Sequence, residues 1–104
     1  MTEDEITLKA IAALTAVRGG VEAEYVSELL EEVIPDHFVI PAEAEPQEVG
    51  LAVLNQLSGP LSALVTGFVL AFQALAQAYD RTDPDADADG VLQALALAIA
   101  RETT

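Results

Sequence analysis

Apolar residues recur at three- and four-residue intervals along most of this chain, and that rhythm predicts helices rather than strands. Over about 3–18, Ile6, Ala10, Ala13, Leu14 and Val17 share one helical face. Thr2 stands three residues before Glu5, the spacing of a capping box, and the early acids suit the positive end of a helix dipole. Arg18 followed by Gly19 and Gly20 reads as a stop. A second helix is predicted over 21–34, where Tyr25, Val26, Leu29, Leu30, Val33 and Ile34 oppose Glu22, Glu24, Glu28, Glu31 and Glu32 until Pro35 ends it. The glycine pair between them suggests an antiparallel helical hairpin.

Three prolines, at 35, 41 and 46, then frame a stiff loop over 35–45, in which Phe38, Val39 and Ile40 are too few for a helix and read as a short extended segment. A third helix is expected over 46–57, with Val49, Val53 and Leu57 in register. Ser58-Gly59-Pro60 is expected to break it, Ser58 capping a fourth helix over 60–80 and Pro60 sitting in its first turn. Leu61, Leu64, Val65, Phe68, Phe72, Leu75 and Tyr79 stripe this fourth helix, and its reverse side offers Ala63, Gly67, Ala71, Ala74 and Ala78. A helix apolar nearly all round is expected to be buried, in its own fold or in a partner. An acidic loop over 81–89 leads to a last helix over 90–102 carrying Val91, Leu92, Leu95 and Ile99. The expectation is a single all-α domain, a small bundle of about five helices with a proline-rich extended connector.

Charge narrows the partners. Eighteen acidic residues face four basic ones, for a net −14. Phosphate backbones are bound through Lys and Arg, so direct nucleic-acid binding and docking on an anionic membrane are disfavoured. A basic protein partner is permitted, as is a role as an acidic mimic of nucleic acid or an inhibitor of a basic protein. The absence of cysteine removes disulfides, thiolate metal sites and cysteine nucleophiles. The N-terminus lacks the basic start and apolar run of a signal peptide, so a cytoplasmic location is expected. The stretch from Pro60 to Ala78 is about as long as a membrane span. Its unbroken apolar core, however, is short, and Gln73 and Gln77 are costly in lipid.

Candidate chemistry is sparse. Asp85, Asp87, Asp89 and Gly90 match positions 1, 3, 5 and 6 of an EF-hand-like calcium loop, but the twelfth position, where a bidentate acid is needed, is Ala96. A weak calcium site using these three aspartates is one alternative; a solvated turn that caps the last helix explains the same residues, and no other cofactor is expected. His37 is the only histidine, so the common triads and zinc sites cannot be assembled, and Glu28, Glu31 and Glu32 form a dense acidic cluster without a Glu-x-x-His motif. No enzyme activity is expected. Small residues at 63, 67 and 71 let another helix approach closely, and with Leu64, Phe68 and Phe72 they define a candidate interface. The leading expectation is therefore a non-enzymatic protein that binds a protein partner or itself, as a homo-oligomer, through apolar helix faces.

Overall fold

The computed structural model describes residues 1–103. Among these the chain is helical throughout its regular structure, in four helices and with no strand: α1 Glu3–Arg18, α2 Ala23–Glu31, α3 Pro46–Asp80 and α4 Ala88–Thr103. They fall into two compact units, 1–69 and 70–104, whose boundary lies within α3.

In the first unit, α1 begins as its sequence predicts. The Glu5 amide donates to Thr2 Oγ1 at 3.1 Å, and Glu3, Asp4 and Glu5 occupy the first turn. It ends in a Schellman motif: the Val21 amide donates to the Ala16 carbonyl and the Gly20 amide to that of Val17. Gly20 takes φ 77°, a left-handed conformation that costs a side-chain-bearing residue about 1–2 kcal/mol.

The helix α2 is shorter than its apolar pattern suggests, covering 23–31 rather than 21–34. Glu22 is extended and gives no side-chain cap at the start. At the end, the Val33 and Ile34 amides bond three residues back, to Leu30 and Glu31. Pro35 pushes the residue before it out of the helical region, so the final turn tightens and stops early. Lys9 pairs with Glu32, tying α1 to the exit of α2; both side chains are partly solvated, which keeps the pair's contribution small.

The expected break at Ser58-Gly59-Pro60 is not there. Residues 46–80 form one 35-residue helix with Pro60 inside it, and Ser58 lies within the helix instead of capping a new one. Proline removes one helical hydrogen bond, leaving the Gln56 carbonyl without its i+4 amide, and its ring crowds the Cβ of the residue before it. That residue is Gly59, which has no Cβ, so the second obstacle vanishes and the helix passes through.

The first unit's core is thin. Ile6, Val33 and Ala63 form a buried cluster with Leu64 packed against it, and Ala10 and Ala13 are buried beside it on α1. α3 and α1 approach closely at Gly67: a Cβ built there would lie 2.7 Å from the Ala10 Cβ and 3.1 Å from the Thr7 Cα, so the two helices meet nearly backbone to backbone. The non-helical segment 32–45 is clasped by Gln56, whose side chain accepts from the Val39 amide and donates to the Val39 carbonyl, both at 2.8 Å. The same amide group donates to the Ala52 carbonyl one turn back, which fixes its orientation.

Candidate interaction surface

The second unit is a helical hairpin: the C-terminal part of α3, a turn at 81–87, and α4. Four side-chain hydrogen bonds help to hold the turn, beside backbone bonds from the Thr82 amide to the Tyr79 carbonyl and from the Asp83 amide to the Asp80 carbonyl. Tyr79 Oη donates to the Ala86 carbonyl at 2.9 Å and Thr82 Oγ1 to the Tyr79 carbonyl at 2.6 Å. The Ala88 amide donates to Asp80 Oδ1 and the Gly90 amide to Asp87 Oδ1, both at 2.8 Å. Asp87 is thus the N-cap of α4, which moves the start of that helix from the expected Gly90 to Ala88.

These bonds also place the three candidate calcium ligands. Asp85 lies in the exposed turn, Asp87 Oδ1 is engaged by the Gly90 amide, and Asp89 is in the first turn of α4. Among the described residues, no three His, Cys, Asp or Glu side chains gather closely enough to hold a metal ion. A calcium loop gathers its oxygens by keeping the first six residues coiled around the ion. Here the chain enters a helix at the fourth of those residues, which places Asp89 in the first turn of α4 while Asp85 and Asp87 precede it. His37 and the Glu28, Glu31 and Glu32 cluster are exposed, and Glu32 is paired with Lys9.

The structure divides the candidate interface between the two units. Ala63 and Gly67 are buried, and Leu64 packs on the core cluster, so these three serve internal packing of the first unit. Phe68 and Ala71 are half-buried. Phe72 is 45% exposed and lines a groove of about 350 Å³ in the hairpin, together with Leu75, Ala76 and Tyr79 of α3 and Ala88, Val91 and Leu92 of α4.

The chain matches no family model, no curated protein and no solved structure. What the hairpin can do follows from its surface. Of residues 70–103, none is buried, although the helices carry leucine, isoleucine, valine and aromatic side chains throughout. Charge is absent from both helix bodies: neither 70–79 nor 91–100 contains an acid or a base. The unit's acids sit at Asp80, Asp83, Asp85, Asp87 and Asp89, in and around the turn, and at Glu102. The first unit, by contrast, holds twelve of the eighteen acids and two of the four bases, Lys9 and Arg18.

Sequence periodicity located the hairpin's apolar faces but not their exposure. The signal was present in a different form: two decapeptides separated by an aspartate-rich turn carry no charged edge, and only Gln73, Gln77 and Gln93 interrupt their apolar run before Tyr79 and Ala100.

Proposed function

We propose that this chain is a non-enzymatic interaction protein, one that buries the apolar faces of its C-terminal helical hairpin against another protein chain. The observation that supports it is the complete absence of buried residues in 70–103 alongside a continuous apolar groove. Isolated soluble domains keep contiguous apolar patches to a few hundred Å², and larger ones rimmed by polar residues mark interaction sites. Two helices alone have no third element to cover them, so a further surface must supply the cover.

By length and composition α3 is also able to cross a membrane, and 11% of its most apolar stretch is buried. The charge pattern argues for a protein neighbour. Glu43, Glu45 and Glu48 flank one end of α3 and five aspartates the other, with Arg81 the only base nearby, so the basic flanks that orient a span are missing.

Site-specific photo-crosslinking tests the reading in the native host. A photoreactive residue at Leu95 is expected to trap a protein of defined mass, either a second copy or a different chain. Crosslinks to lipid alone, or to no macromolecule, overturn it.

A further inference from the structure

We infer that the occupant of the hairpin groove is a second copy of this chain, the two hairpins packing face to face as a four-helix dimer. The inference rests on the interaction reading above and adds the identity of the partner. Three observations carry it.

The first is the geometry of the face. Phe72, Leu75 and Tyr79 line the α3 wall of the groove, and Val91 and Leu92 line the α4 wall. Leu95 and Ile99 extend the α4 wall by the next two turns, at the i+4 spacing that keeps residues on one side of a helix. Pairing two such hairpins gives each helix two neighbours and closes an apolar centre, the arrangement by which helices bury one-sided stripes.

The second is area. The seven large side chains on this face are each between 41% and 65% exposed. With roughly 150–200 Å² on a free residue of this size, they leave on the order of 600 Å² of apolar surface per chain. Two copies would cover about 1,200 Å² together, which reaches the lower range of stable protein–protein interfaces.

The third is charge. A groove that receives a cationic segment needs acids along its walls, and 70–79 and 91–100 carry none. A neutral apolar face matches another neutral apolar face, and the chain's own hairpin is one. Packing the hairpins antiparallel sets the two acidic turns at opposite ends, so the like charges at 80–89 stay apart.

Sedimentation equilibrium of the purified full-length protein tests this, with three single substitutions of the same kind. The native chain is expected to run at twice its 10.9 kDa mass at micromolar concentration. Leu75→Glu and Leu95→Glu, each in the groove face, are expected to weaken dimerisation at least about thirtyfold, the size of a hot-spot loss. Leu97→Glu, on the opposite side of α4 from Leu95, is expected to leave the dimer intact. Circular dichroism checks that each variant keeps its helices, and with two groove variants the test survives the misfolding of one. A native chain that stays monomeric overturns the inference, as does a dimer that Leu97→Glu disrupts as strongly as Leu95→Glu. A strict monomer that crosslinks through position 95 to a different protein removes the self-pairing while leaving the interaction reading in place; a monomer that crosslinks to nothing removes both.

Discussion

Gly67 and Ala10 face each other so closely that a methyl group on Gly67 would sit 2.7 Å from the Ala10 Cβ, with the Thr7 backbone at 3.1 and 3.2 Å behind it. Neither neighbour is the free end of a flexible side chain. Gly67→Ala therefore forces α1 and α3 apart. Overpacking of this kind costs about 1–3 kcal/mol, against a helix-propensity gain of about 1 kcal/mol. The clash is expected to win, lowering the thermal midpoint. Gly50, also inside α3, has nothing within 4 Å of its built Cβ, so Gly50→Ala is expected to stabilise by roughly 0.5–1 kcal/mol. Equal and same-signed shifts in thermal melts of the two variants would contradict the close contact.

Gly59 distinguishes steric room from helical context. Its built Cβ also meets nothing within 4 Å, yet it precedes Pro60. Alanine there restores the clash between the proline ring and the preceding Cβ. Gly59→Ala is expected to gain less stability than Gly50→Ala, and Pro60→Ala in the same chain to gain more than either, since it returns an amide to the Gln56 carbonyl. Chemical denaturation midpoints rank the three.

The Gln56 clasp makes a local prediction. Gln56→Leu removes both hydrogen bonds to Val39, whose backbone is solvent-accessible and can turn to water, so the cost is expected near about 1 kcal/mol. Hydrogen exchange reads it directly: the Val39 amide loses protection while amides of α1 keep theirs. Unchanged exchange at Val39 would rule the clasp out.

The Asp87 cap should behave as a separable unit. Asp87→Ala deprives the Gly90 amide of its acceptor, with an expected cost of about 1 kcal/mol and fraying of the first turn of α4. Asp87→Asn retains an acceptor oxygen and is expected to recover most of the loss. Asp85→Ala, which changes neither cap, is expected to be nearly silent. Amide exchange at Gly90 and Val91 in the three variants is the measurement.

Salt should distinguish the proposed self-pairing from attraction to a cationic partner. The chain carries −14, so bringing copies together meets mutual repulsion that added salt screens. Self-association through neutral faces is expected to strengthen on going from low to moderate ionic strength. Binding driven by attraction to a cationic partner would weaken over the same range.

The positions of three helix boundaries could be read in advance because each depends on residues within one turn: Thr2 and Glu5 at the start of α1, Arg18-Gly19-Gly20 at its end, and Pro46 opening α3. The continuity of α3 was not legible from proline alone, since it turns on Gly59 supplying the missing Cβ. The role of Gly67 was half legible. Its spacing with Ala63 and Ala71 marks a close-packing face, but nothing local says that Ala10 on α1 is what fills it. The Gln56–Val39 clasp left no trace, because a side-chain amide meeting backbone 17 residues away depends on how the whole first unit folds. The aspartate spacing at 85, 87 and 89 could be read two ways for a physical reason: an aspartate such as Asp87 can serve as ligand or as helix cap, and the pattern is common to both.

Charge is unevenly placed along the chain: the hairpin's six acids and two bases lie in and around its turn and near residue 102, which leaves its two helix bodies, 70–79 and 91–100, uncharged. Mutual repulsion between copies of so anionic a chain opposes the gain from burying those helix bodies, so self-association is expected to stop at a small number of copies instead of running on to a precipitate. The same balance sets where it fails. Near the chain's isoelectric point, about pH 4.1, copies no longer repel one another, and the exposed apolar faces are expected to draw the protein out of solution.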